Sequence, residues 1–196
     1  MILSDKDIEL SVQRDELVID PWNPDNLQPA SVDLTLGKQF ILFKESKWFS
    51  ADSAYAVNPL KKQEKEIVTT LVPGSTMEIY PKQFMLAATL ESVTIPDNVV
   101  GILNGKSSLA RLGLIIHTTA GFIDPGFQGT LTLELLNVSQ RRIILTPGML
   151  IGQISFTMMT SPARVPYGDP KLKSKYQGQK EPTASQTQNA VVQEIA

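Results

Sequence analysis

The feature that most restricts the fold of this chain is recurrent turn punctuation between short apolar runs. From Ile67 onward, Pro73-Gly74, Pro81-Lys82, Pro96-Asp97-Asn98, Pro125-Gly126 and Pro147-Gly148 interrupt the sequence. Proline fixes φ and removes a backbone donor, and glycine or asparagine accepts the turn that follows, so each pair ends a regular element. The runs between them, at 76–80, 84–91, 99–103, 130–136 and 149–158, read as short β-strands. Strands at this spacing predict an all-β sandwich or barrel. One stretch breaks the pattern: 107–112 (SSLARL) reads as one or two helical turns closed by Gly113.

The first third is less regular. Ser4 followed by Asp7 forms a capping pair, and Ile8 and Val12 lie one turn apart, which predicts a short helix over about 4–14. Residues 17–19 suit a brief strand before a Pro- and Asn-rich loop at 21–29. In 31–36, Val32, Leu34 and Leu36 fall on one face and Ser31, Asp33 and Thr35 on the other. Gly37 punctuates that strand, and 40–43 continues as another. Residues 44–66 carry no clear period, and the charge run KKQEKE at 61–66 reads as a solvated loop or short helix.

After Met159 the composition shifts to Pro, Gly, Lys, Gln and Ser. The chain therefore divides into a β domain with an N-terminal helix (1–160), a segment able to order over a ligand (161–183) and a disordered tail (184–196). No internal repeat is present.

Composition excludes several functions. The chain has 196 residues, 42% of them hydrophobic, so it can bury the core of one domain. Its net charge is −2 and no Lys/Arg run exceeds two residues, which argues against DNA or RNA as a partner. With no cysteine and a single histidine, it has no disulfide, no thiol nucleophile and no usual zinc ligand set. The N-terminus lacks a basic region followed by an apolar run, and no apolar stretch nears the roughly 18 residues a membrane span needs. A soluble cytoplasmic protein without a membrane partner is expected.

The chemistry concentrates in 104–137, NGKSSLARLGLIIHTTAGFIDPGFQGTLTLELLN. GILNGKS at 101–107 invites a P-loop reading, but that motif needs four residues between its glycines, and here there are three. Even so, a glycine, a lysine, Ser107 and Ser108 at the start of a helical turn suit a phosphate group. A capped helix with a surface lysine is the alternative. Arg111 lies one turn past Ser107 and can fork onto phosphate or developing negative charge, or make a surface ion pair. Leu131, Leu133 and Leu135 occupy one strand face, which places Thr130, Thr132 and Glu134 together on the other. Glu134 is therefore either solvent-facing or a cleft-lining carboxylate suited to proton transfer. Asp124, before Pro125-Gly126, stabilises a turn or accepts from a sugar hydroxyl. His117, alone after an apolar run, reads as a hydrogen-bonded, half-buried side chain rather than a catalytic one.

Taken together these residues resemble the dCTP deaminase branch of the trimeric dUTPase superfamily, and within it the bifunctional, dUMP-forming members. QPASVDLTLG at 28–37 resembles the first motif, and GKSSLAR at 105–111 the phosphate-binding motif. HTTAGFIDPG at 117–126 and LTLE at 131–134 resemble the nucleoside and catalytic motifs. Tyr167 and SKYQGQ at 174–179 resemble the segment that closes over nucleotide. The resemblance implies a distorted jelly-roll (β-clip, dUTPase-like) fold with two short helices, a homotrimer with active sites at subunit contacts, and zinc-free deamination of dCTP at cytosine C4. Zinc deaminases need H-x-E and P-C-x-x-C ligands, which a cysteine-free chain cannot supply.

By the same resemblance, Glu134 deprotonates the attacking water and passes the proton on. Ser107 and the carbonyl of Ala120 orient that water, and Arg111 of a neighbouring subunit offsets charge. Asp124 holds the deoxyribose 3′-hydroxyl and helps place the water that attacks the α-phosphorus. The implied nucleotide contacts are Lys106, Ser107, Ser108, Leu109, Ala110, Arg111, Asp124, Thr132, Leu133, Glu134, Gln153, Tyr167, Lys175 and Gln179. Gly121-Phe122, Gln153 and the tail resemble the bifunctional pattern, so the implied products are dUMP, ammonia and pyrophosphate. Mg²⁺ is expected mainly on the triphosphate oxygens, with no dedicated protein metal site. Lys106 departs from the arginine of many relatives and lacks the bidentate fork. The rival readings are a deaminase that stops at dUTP, a dUTP diphosphatase, and a non-catalytic nucleotide-binding module.

Overall fold

A computed structural model describes residues 1–43 and 66–187. The chain opens on helix α1 (Asp5–Gln13), begun by a reciprocal capping box. The Ser4 side chain accepts from the Asp7 amide at 3.4 Å, and the Asp7 carboxylate accepts from the Ser4 amide at 3.3 Å. Ile8 fastens this helix to the core and is fully buried.

The rest is strand. β1 (Val18–Asp20), β2 (Leu27–Gln28), β3 (Ser31–Phe43), β4 (Glu66–Thr70), β5 (Met77–Ile79), β6 (Phe84–Thr94) and β7 (Val99–Gly105) precede the short helix α2 (Ser107–Ala110). β8 (Leu114–Ile115), β9 (Phe122–Ile123), β10 (Gln128–Asn137), β11 (Ile143–Leu145) and β12 (Leu150–Met158) follow. All pairings between strands are antiparallel, in the order β8-β10-β6-β3-β12-β7-β9, with β1 added on β6 and β2 and β4 on β3. β11 and β5 form a separate ribbon. The all-β expectation is met: a curled antiparallel sheet with two short helices.

β3 explains the curl. Its first half pairs with β12 and β2, and its second half with β4 and β6. The register breaks between Leu36 and Phe40, where Gly37 lies. A Cβ on Gly37 would stand 2.9 Å from the carbonyl oxygen of Ala88, so glycine permits a close backbone approach here. The expected stop at Gly37 is therefore a bend within one continuous strand. Because β3 is central, Asp33 and Thr35 are buried as well as Leu34 and Leu36, and the anticipated polar face does not meet solvent. Phe40, Leu133, Leu135, Ile154 and Phe156 fill the core from β3, β10 and β12. Each such buried side chain contributes roughly 1.5–3 kcal/mol.

Residues 61–65 of the charge run at 61–66 lie outside the described residues, as do 188–196 of the expected tail, whereas Glu66 opens β4. Residues 184–187 are described, and the Gln186 amide donates to the Tyr176 hydroxyl at 3.1 Å. Among the described residues no helix is long and apolar enough to cross a membrane.

Candidate active site

β10 carries Glu134 on its less buried face, flanked by Thr132 and Leu136, while Leu131, Leu133 and Leu135 point into the core. One oxygen of the carboxylate is fixed: the Thr118 amide donates to Glu134 Oε2 at 2.9 Å. The backbone amide of Glu134 in turn donates to the Ile116 carbonyl at 2.9 Å. A charged acceptor on a backbone N–H makes a strong hydrogen bond, so Glu134 is held against the loop after β8 rather than swinging in solvent.

That loop, 116–121, is itself tied to β7. The Leu103 amide donates to the Gly121 carbonyl at 2.7 Å, and His117 Nε2 lies 2.7 Å from the Leu103 carbonyl. A carbonyl only accepts, so Nε2 carries the proton, and the buried Nδ1 has no protein partner among the described residues. His117 is a half-buried structural anchor, as its sequence context suggested. Gly121 is needed for this closeness: a Cβ there would lie 2.7 Å from the Leu103 oxygen and 3.1 Å from His117 Nε2. The next residue, Phe122, is 61% exposed on β9. Ala120 is exposed between the two anchors, beside the residues that hold Glu134.

α2 follows β7 directly, with Lys106 as its N-cap and no side-chain capping bond. Ser107, Ser108, Ala110 and Arg111 are exposed, and Leu109 packs partly on the core. Among the described residues the side chains of Ser107, Ser108 and Arg111 make no hydrogen bond or ion pair, and none reaches Glu134 within the chain. Lys106 differs. Its ammonium lies 2.6 Å from Asp33 Oδ2 on β3. The pair is assembled by strand register: Asp33 faces Gln153 on β12, and Gln153 faces Asn104 on β7. Gln153 is half-buried within that row.

Asp124 closes a turn through its backbone, accepting from the Phe127 amide at 3.1 Å, and its exposed carboxylate has no partner among the described residues. Tyr167 reaches the same turn. Its amide donates to the Pro125 carbonyl at 2.7 Å, and its ring packs on Phe127 with centroids 5.8 Å apart.

Beyond Tyr167 the segment lies along the start of β10. Gln179 pairs with Gly129 in a parallel bridge, its carbonyl accepts from the Thr130 amide at 3.0 Å, and its side-chain amide donates to the Thr130 carbonyl at 2.6 Å. The Gln177 side chain accepts from the Gln128 amide and donates to the Gly126 carbonyl. The Thr183 amide donates to Thr132 Oγ1 at 3.3 Å. Lys175 is half-buried on this segment. The structure thus gathers Glu134, Thr132, Leu133, Ala120, Asp124, Tyr167 and Gln179 around β10 and its flanking turns. Lys106 to Arg111 stand on the α2 side with Gln153.

The sequence reading assigned no role to Asp33, although it lies in the first motif. A polar residue alternating with core leucines was the available signal, but its partner is remote in sequence. It likewise missed Glu91, which is 3% exposed and accepts from the Thr35 amide at 2.9 Å. Among the described residues no three His, Asp or Glu side chains converge on a point where a metal ion would sit.

Residues 2–159 match the family described as dCTP deaminase-like. The dUMP-forming dCTP deaminase of Corynebacterium efficiens is 47% identical over 185 residues, covering 94% of this chain and 93% of that relative. The protein of the same description from a Mycobacterium species is 47% identical over 190 residues, covering 95% and 96%. The crystal structure of 2′-deoxycytidine 5′-triphosphate deaminase from Agrobacterium tumefaciens shares the fold, with a TM-score of 0.60 at 23% identity. That match covers 80% of this chain and 48% of the other. The chain belongs to the dCTP deaminase-like family.

Proposed function

We propose that this protein deaminates dCTP at cytosine C4 without zinc and hydrolyses the triphosphate, releasing dUMP, ammonia and pyrophosphate. The observation that carries the reading is the Glu134 carboxylate, half-buried, with one oxygen pinned by the Thr118 amide. A base so held can face a water without first being ordered, and general base catalysis is worth roughly 10²- to 10⁴-fold. Relatives described as dUMP-forming at 47% identity support the full two-step reaction.

In this reading Glu134 takes a proton from water as the oxygen bonds to C4. The proton goes to ring N3, and Glu134 then moves the new C4 hydroxyl proton to the amino group, so the C4–N bond breaks, the C4 carbonyl forms and ammonia leaves. Ser107 and the Ala120 carbonyl orient the water, and Arg111 offsets negative charge as it develops. The guanidinium and hydroxyls of α2, with no side-chain partner among the described residues, favour a site completed between copies in a homotrimer. Asp124 then holds the 3′-hydroxyl and places a second water for attack at the α-phosphorus, breaking the bond to the pyrophosphate leaving group. Lys106 and the α2 backbone receive the phosphates, and Thr132, Leu133, Gln153, Tyr167, Lys175 and Gln179 enclose the nucleotide.

The donor set fits a magnesium ion carried mainly on triphosphate oxygens, since no carboxylate cluster of the described residues competes for it. When bound there, Mg²⁺ supplies charge neutralisation for the triphosphate. Function in the cytoplasm follows from the substrate.

Incubating the protein with dCTP and Mg²⁺ and resolving the products tests the proposal. Ammonia, pyrophosphate and dUMP in equal amounts are expected. Accumulating dUTP without pyrophosphate would identify a deaminase alone, and cleavage of dUTP with inertness toward dCTP a diphosphatase.

A further inference from the structure

We infer that Asp33 is a positioning residue for the triphosphate, acting through the ammonium of Lys106. The inference rests on the proposal that Lys106 contacts phosphate. Asp33 is 4% exposed, in the middle of a central strand. Burying a carboxylate is costly unless a counter-charge meets it, and Lys106 at 2.6 Å is its one ion-pair partner among the described residues. Asp33 Oδ1 is buried and bonds to no protein group among them. Among the described residues the carboxylate is thus committed to Lys106 alone.

The consequence lies in the chemistry of lysine. An ammonium carries three donors on a flexible four-carbon stem, without the rigid fork of a guanidinium. One donor on Asp33 fixes the head at the N-cap of α2 and leaves the others free to meet an anion. The side chain is 23% exposed, so the held head still reaches solvent. The first motif and the phosphate-binding motif are therefore one device. β3 supplies the carboxylate, β12 spaces the pair through Gln153, and β7 delivers the lysine. Such a contact is the same in the ground state and the transition state, so its loss raises KM and spares kcat.

Steady-state kinetics with dCTP and Mg²⁺ on Asp33→Asn, Lys106→Met and the double variant test this. Each single variant is expected to raise KM about tenfold with kcat within about twofold, and the double variant to be no worse than Lys106→Met. Multiplying defects in the double variant would make Asp33 a structural residue with its own effect and overturn the inference. An unchanged KM in Asp33→Asn beside a raised KM in Lys106→Met would overturn it while leaving the phosphate role of Lys106 intact. An unchanged KM in Lys106→Met would remove that role and the inference with it. Should Asp33→Asn fail to fold, the wild-type protein crystallised with α,β-imido-dCTP decides. Lys106 Nζ bonded to both Asp33 and a phosphate oxygen supports positioning, and a lysine that has left Asp33 for the nucleotide overturns it.

Discussion

The β10 side and the α2 side of the site are finished to different degrees. Around β10, the Glu134 carboxylate is bound by a backbone amide, Thr130 is bracketed by Gln179, and Thr132 receives the Thr183 amide. On α2, the side chains of Ser107, Ser108 and Arg111 are exposed and bond to nothing among the described residues, whereas the Lys106 ammonium is anchored. A polar group already satisfied within its chain is preorganised for chemistry. A cluster of unsatisfied groups, by contrast, is complete only when something else arrives. On the proposed function, one chain supplies a built base and an unbuilt anion site, which is the pattern expected when each active site takes its halves from two copies.

That contrast can be broken at either end, and the largest effect is expected on the built side. Glu134→Gln keeps the shape and the Thr118 contact but removes the base. Ammonia release is expected to fall by roughly 10²- to 10⁴-fold while dCTP still binds. An ammonia assay paired with nucleotide titration checks this, and normal ammonia production would remove Glu134 from its role. On the open side, Arg111→Ala is expected to lower kcat about 10²-fold with thermal stability unchanged, because its side chain makes no hydrogen bond or ion pair among the described residues. Pre-steady-state ammonia release together with a melting curve separates the two effects, and a large loss of stability would show that Arg111 is structural.

A smaller effect belongs to the C-terminal segment that lies along the start of β10. Truncation before Tyr167 removes the residues that bind Gly126, Gln128 and Thr130. It is expected to weaken binding of α,β-imido-dCTP about tenfold, near 1.4 kcal/mol, with the β fold retained. Calorimetric titration against the full chain reads it, and equal affinity would show that the segment covers the sheet without serving the ligand.

How far this was legible in the sequence follows the range of each signal. Turn pairs such as Pro125-Gly126 and the Ser4–Asp7 capping box act over a few residues, and the strands and helix they predicted are present. β8 and β9 have two residues each, too few for a period to show, and they were missed. Gly37 was read as a stop because the sequence carries no sign of the Ala88 carbonyl that presses on it. The buried face of Asp33 and Thr35 was hidden for the same reason, since alternation cannot reveal that β3 is covered on both sides. At the site, the motif residues were expected as a group from the resemblance. Their engagement was not visible: the Thr118–Glu134 bond depends on how β8 meets β10, and the Asp33–Lys106 pair on two successive strand registers.

Subunit complementation tests the shared site most directly. Glu134→Gln and Arg111→Ala, each inactive alone, are unfolded together and refolded as mixed oligomers, then assayed for ammonia release from dCTP. If each site draws Glu134 from one chain and Arg111 from its neighbour, random mixing should restore about a quarter of the wild-type activity. Mixed oligomers that form but remain inactive would contradict the account.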